Sequence, residues 1–228
     1  MSKLTTLGQR EVFDNARLLL EKNGYNPQTA KLTQSQIRSE VAMSASVTRF
    51  HFPVTINDSQ NGNAFNTEKR LQLQDVFIVS AIALAVAKPA SATDGMFDLF
   101  TYSNLTVFSA SNTAASIRGA YANGNLSMIV DNDQVLPYFP TNCLYRAPIT
   151  QQGANVGYTT SGVNLVDSRD GANDSIFQIE PNLILAGNAQ IDISLNLPAA
   201  MTAVESNSRF VLLMYGLLAQ NVTKIANG

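Results

Sequence analysis

The stretch Ser175–Ala219, SIFQIEPNLILAGNAQIDISLNLPAAMTAVESNSRFVLLMYGLLA, holds three extended segments in close succession. Ile191, Ile193, Leu195 and Leu197 alternate with Gln190, Asp192, Ser194 and Asn196, the period-2 pattern of a strand buried on one face. Its polar face is expected to meet water. Before it, Phe177, Ile179 and then Leu183, Ile184 and Leu185 read as a strand broken at Glu180-Pro181 and closed by an Ala186-Gly187-Asn188 turn. After it, Phe210–Leu218 is apolar at almost every position, which suits a central strand covered on both sides. A half-exposed strand beside a fully buried one implies layered sheets.

A chain of 228 residues is long enough to bury a full core, and one main domain suits it. Only 14% of the residues are charged, against roughly 25% in ordinary soluble domains, while Asn, Ser, Thr, Ala and Gln are abundant. Such a neutral, polar surface serves a free monomer poorly but suits a subunit packed against its own copies; extracellular binding modules share the composition. The net charge is -2, and Lys69-Arg70 is the longest basic run. Specific nucleic-acid binding is therefore not expected. Cys143 is the single cysteine, so no intrachain disulfide can form. The segment MSKLTTLGQREVF has no apolar signal core, and export by that route is not expected. Val76–Ala87, VFIVSAIALAVA, is the most apolar run, but it falls short of the about 20 residues a membrane-spanning helix needs. It reads as a core strand, or a pair of short ones, and no transmembrane segment is assigned.

In chain order, Gln9–Asn23 has helical spacing through Val12, Ala16, Leu19 and Leu20, with Phe13 widening the stripe, Thr5 and Thr6 able to cap and Gly24 beyond its end. Asn26-Pro27, and Thr33 with Gln36, predict a second short helix through Val41. Residues 1–44 thus read as an N-terminal helical arm, lying across its own domain or a neighbour, and residues 45–228 as a β-sandwich domain.

Phe50, Phe52, Val54 and Ile56 then share a strand face, with Pro53 implying an edge or a bulge. Met96–Phe100, Leu105–Ser109 and Leu144–Ile149 are short strand candidates. Ile117–Tyr121 and Leu126–Val130 flank Asn123-Gly124 and predict a hairpin. Asp131-Asn132-Asp133 turns the chain into an extended Val135–Phe139. Residues 150–175 form a long polar loop without a stable period, the kind of segment that carries contacts.

No constellation of catalytic residues emerges. His51 is the only histidine, so a Ser-His-Asp triad or a pairing with Cys143 would have to use it, and neither residue has the local context of a nucleophile. The sequence thus predicts a protein without catalysis, with no catalytic, cofactor-binding or metal residues assigned. Oxygen-rich turns at Asp131/Asp133 and at Asp167/Asp170/Asp174 could hold calcium weakly, but neither has the EF-hand spacing and solvated turns are the simpler reading. Tyr102, Tyr121, Tyr138, Tyr145 and Tyr158 could line a sugar-stacking face, although the chain has no Trp. Asn-X-Ser/Thr triplets begin at Asn57, Asn104, Asn125, Asn173 and Asn221, as chance alone provides in so polar a chain.

The helical arm, the FHFPVTIN strand, the TEKRLQLQDVF lead-in and the late IEPNLILAGNAQIDISLNLP segment together resemble the layout of a jelly-roll (β-sandwich) coat protein of a tailless icosahedral phage or related virus. The resemblance spans most of residues 45–218 and rests on layout rather than on a signature motif. It implies a mainly β, antiparallel sandwich located in the virion, self-assembling into a closed shell with copies of itself and other virion proteins. A fibre, spike or carbohydrate-binding sandwich is the alternative, with residues 150–175 as the contact loop.

Overall fold

The computed structural model describes residues 7–58, 65–109, 111–147 and 176–224. The protein is mainly β, with two antiparallel four-stranded sheets. The strands are β1 (Lys31–Ala42), β2 (Arg49–Phe52), β3 (Val76–Ala87), β4 (Asn125–Val130), β5 (Asp133–Pro140), β6 (Phe177–Ala186), β7 (Ile191–Asn196) and β8 (Arg209–Gln220). One sheet has the order β1-β8-β3-β6, the other β2-β7-β4-β5. Two helices complete the described elements, α1 (Leu7–Lys22) and α2 (Ser111–Asn123), with a 3-10 turn at Thr141–Leu144.

The sheets share one core. Phe77, Val79, Ile82, Leu84, Phe210, Leu212 and Met214 of the first sheet join Phe50, Phe52, Leu126, Met128, Ile193 and Leu195 of the second in a single apolar cluster. Ala114, Ile117, Ala120 and Tyr121 of α2 extend it, and the Tyr121 hydroxyl donates to the Leu84 carbonyl at 2.8 Å.

β3 is one continuous strand whose apolar character serves both faces. Val79 pairs with Gly216 and Ala81 with Tyr215, so Ser80 is an extra residue that shifts the alternation by one. Before this bulge Val76 and Ile78 face outward, and after it Ala83, Ala85 and Ala87 do. Each half meets a different cover. Ala16 and Leu20 of α1 pack on Val76, Ile78, Leu217 and Ala219, while Phe97 and Leu99 lie against the small Ala83, Ala85 and Ala87 with Val211 and Leu213. Helix α1 ends as expected: Gly24 takes a φ of 76°, and the Tyr25 N–H donates to Leu20 O at 3.0 Å.

Several sequence expectations are corrected. The second helix expected through Val41 is strand β1, paired with β8 without interruption from Lys31↔Gln220 to Ala42↔Arg209. Ile37, Ser39 and Val41 alternate into the interior, and the long apolar edge of β8 outweighs a weak capping pattern. Residues 1–44 are therefore not helical throughout, and α1 lies on its own first sheet. The Asn123-Gly124 hairpin is absent because Ile117–Tyr121 belongs to α2, whose buried residues Ala114, Ile117, Ala120 and Tyr121 follow helical spacing. The tight hairpin instead joins β4 to β5 at Asp131-Asn132, with φ of 49° and 68° and Val130 paired with Asp133.

Met96–Phe100 and Leu105–Ser109 are not strands; Phe100 makes only an isolated bridge to Val86. The described part of Leu144–Ile149 has no strand, and Leu144 closes the 3-10 turn. Strand β2 stops at Phe52, before Pro53, and Ile56 is exposed. The polar loop expected at 150–175 lies outside the described residues.

Candidate functional site

The outer face of the second sheet carries a connected polar cluster. In β2, Phe50 and Phe52 turn inward, which sends Arg49 and His51 outward; in β7, Ile193 and Leu195 turn inward and Asp192, Ser194 and Asn196 outward. The register sets Arg49 opposite Asn196 and His51 opposite Ser194, which places Asp192 diagonal to His51, while the longer Arg49 side chain runs along Ser194 to reach it. His51 Nδ1 lies 3.0 Å from Asp192 Oδ1 and His51 Nε2 lies 2.6 Å from Asp58 Oδ2. Arg49 donates through Nη2 to Asp192 Oδ2 and through Nε to Ser194 Oγ at 3.1 Å. Ser194 Oγ donates to Asp192 Oδ1 at 2.6 Å. The row continues through Asn196 Nδ2, which donates to Ser127 Oγ at 2.9 Å and to Asn125 Oδ1 at 3.3 Å.

Burial pushes the Asp192 carboxyl up, but the hydrogen bonds from Ser194 and His51 and the Arg49 charge outweigh it and leave the group below its ordinary value. The two ring nitrogens of His51 thus bridge Asp192 of β7 and Asp58 beyond Pro53. This is the chemistry of a cross-link between β2, β7 and the segment after Pro53. A triad would need Ser194 Oγ to donate to the imidazole, and here it donates to Asp192. The expectation that this face simply meets water is corrected: Ser194 is fully buried by its neighbours.

A second charged cluster sits on the outer face of the first sheet. Glu40 of β1 and Arg209 of β8 have side chains 0% and 2% exposed and bond through Oε2 and Nη1 at 2.9 Å. Glu40 Oε1 also accepts from Arg38 Nε at 2.8 Å and from Thr67 Oγ1. Glu68 Oε1 accepts from the Glu40 backbone N–H at 3.2 Å, and its Oε2 accepts from Arg70 Nη2 at 2.8 Å. The Arg209 guanidinium lies 3.8 Å from the Phe65 ring centroid and 5.4 Å from that of Phe97, and its Nη2 donates to Ala92 O. Burial raises the Glu68 carboxyl against the opposing pull of Arg70 and the Glu40 N–H. The cluster clamps segments 65–70 and 92–97 onto the sheet. Sequence reading passed over it; the available signal was Arg209 directly preceding the apolar run of β8.

The remaining candidate residues are dispersed. Cys143, half-buried, contacts its neighbour Asn142 Oδ1 at 3.4 Å, while His51 bonds to Asp58 and Asp192. Asp131 uses its carboxylate to accept the Gln190 N–H at 2.8 Å. Among the described residues no group of three His, Cys, Asp or Glu side chains could hold a metal ion; Asp167, Asp170 and Asp174 lie outside them. Tyr121 is buried in the core, edge-on to Tyr145 at 5.2 Å, and Tyr138 stands exposed on β5. Tyr102 and Tyr145 are half-buried against the same core, and Tyr158 is outside the described residues. No helix among the described residues is long and apolar enough to cross a membrane.

Comparison with protein-family models found no matching family, and comparison with curated proteins found no match.

Proposed function

We propose that the chain is a virion structural protein: a jelly-roll coat subunit of a tailless icosahedral phage or related virus, which self-assembles into a shell and performs no catalysis. The observation that carries the reading is the nesting of strand pairs. β1 pairs with β8, β2 with β7, β3 with β6 and β4 with β5, the outcome of folding one long antiparallel ribbon at its middle and wrapping it into two facing sheets. Two such interlocked Greek keys make a jelly roll, an architecture used by viral capsids and by lectins.

Surface chemistry favours the capsid use. With 14% charged residues, like copies approach with little mutual repulsion. Tyr121 is fully buried and so withdrawn from any stacking face, and the chain has no Trp, which leaves the carbohydrate-binding alternative with less support. The arm enters this reading as α1 alone, which packs through Ala16 and Leu20 and keeps Val12 and Leu18 exposed toward a neighbour.

Negative-stain electron microscopy of the purified protein, with sizing in parallel, tests the proposal. Closed shells or curved lattice patches are expected. A monomer or trimer at every concentration, together with glycan binding, overturns it in favour of the recognition module.

A further inference from the structure

A sheet edge is a row of unpaired donors and acceptors, and proteins blunt such edges with proline, short strands, bulges or charge. Three of the four edges here are blunted. β5 contains Pro137 and Pro140, β6 contains Pro181 within its irregular pairing to β3, and β2 spans only four residues before Pro53. The fourth edge, β1, is different. It has no proline, and its register to β8 runs unbroken over all twelve residues.

Half of that edge is closed from within. The Lys69 N–H donates to Arg38 O at 2.9 Å, and Glu68 Oε1 accepts the Glu40 N–H. These bonds identify the even-numbered residues of β1 as those whose backbone groups point away from β8. With no bulge in the strand, Leu32, Gln34 and Gln36 point the same way. No hydrogen bond from another described residue reaches them on that side, and Lys31, Gln34 and Gln36 are exposed. An open, regular window remains over Lys31–Gln36, KLTQSQ.

We propose that this window is a pairing edge at which two copies of the chain join their first sheets, antiparallel, about a two-fold axis near Thr33–Gln34. The occupant follows from the chemistry of the strand. Antiparallel pairing of a strand with itself sets like residues near like, which charged edges forbid and Thr33, Gln34, Ser35 and Gln36 permit. The only charge, Lys31, sits at the end of the window, so the two-fold axis carries each copy's Lys31 to the far end of the partner strand. Backbone hydrogen bonds from Leu32, Gln34 and Gln36 then supply the contact, as in strand addition generally, and the isologous geometry closes as a dimer. The pairing does not depend on the coat reading.

The test uses the full chain. Gln34→Pro removes an outward N–H while leaving every bond to β8 in place, so the fold persists and dimerisation weakens by more than ~10-fold in sedimentation. Gln34→Lys with Gln36→Lys serves if the proline variant fails to fold, with the same expected loss. Thr33→Cys and Gln34→Cys, each in a Cys143→Ser background, report the axis directly: at least one forms an oxidised dimer, and Asn188→Cys in that background does not. Dimers or larger assemblies indifferent to these edge variants overturn the pairing and leave the coat reading standing. Dimers dispersed by Gln34→Pro, with no larger particle at any concentration, support the pairing and end the coat reading.

Discussion

Arg209 and Glu40 face each other across adjacent strands of the first sheet, their charged atoms 2.9 Å apart and both side chains almost wholly excluded from solvent. A buried ion pair is no guarantee of net stability, because desolvating two charges offsets much of their attraction. Its location explains its presence: it ends an apolar strand and holds two irregular segments, through Thr67 and through the rings of Phe65 and Phe97.

Breaking the pair from one side is expected to be severe. Glu40→Leu leaves the Arg209 guanidinium buried without its carboxylate and lowers stability by about 3–5 kcal/mol, whereas Glu40→Leu with Arg209→Met recovers much of the loss. Urea unfolding of both variants measures this; equal destabilisation by the single and double changes would contradict it.

Gly216 permits the bulge in β3. A Cβ at this position would lie 1.8 Å from Ile78 O, a backbone atom with no freedom to withdraw. Gly216→Ala therefore costs at least about 1–3 kcal/mol, read as a lower thermal midpoint. An unchanged midpoint would show that the strand can slip past the bulge.

Leu20 is fully buried beneath α1, whereas Val12 on the same helix is exposed. Leu20→Ala loses about 2–5 kcal/mol through the cavity it leaves, and Val12→Ala stays within about 0.5 kcal/mol. Chemical denaturation of the two variants separates a docked helix from a loose one.

Asp192 and Glu68 give opposite pH signatures. Asp192 is held below its ordinary 3.8, so its stabilising contribution is complete above that value and is lost as pH falls through the lower, folded-state value. Glu68 is raised above its ordinary 4.5. The folded state therefore takes up its proton first, and this group adds stability as pH falls from the folded value toward 4.5. Asp192→Asn is expected to flatten the acid limb of a stability profile and Glu68→Gln to remove the rise above it. Profiles superimposable on the parent would contradict both assignments.

Deletion of residues 1–44, an apparent way to remove an arm, would excise β1 and expose the edge of β8. A cut that ends before Lys31 leaves every strand present. The distinction turns on β1, where Thr33 and Gln36 imitate a helix cap and only the pairing with β8 reveals a strand. The polar cluster of His51, Asp58 and Asp192 was half legible: alternation in β2 and β7 predicts which side chains point outward, but their meeting depends on which two strands are neighbours. The Glu40–Arg209 pair spans 169 residues of chain, and no local pattern announces a partner at that separation.

By itself the sequence determined the period of each strongly patterned segment: the alternation of β7, the apolar bodies of β3 and β8, the helix that stops at Gly24, and a surface poor in charge. These follow from side-chain hydrophobicity and backbone freedom, which act locally. Tertiary structure alone decided that β1 is a strand, that Ile117–Tyr121 is helical, which edge stays open and which charges meet. Each of these depends on contacts between residues distant in the chain, whose energies exceed the small local preferences they override.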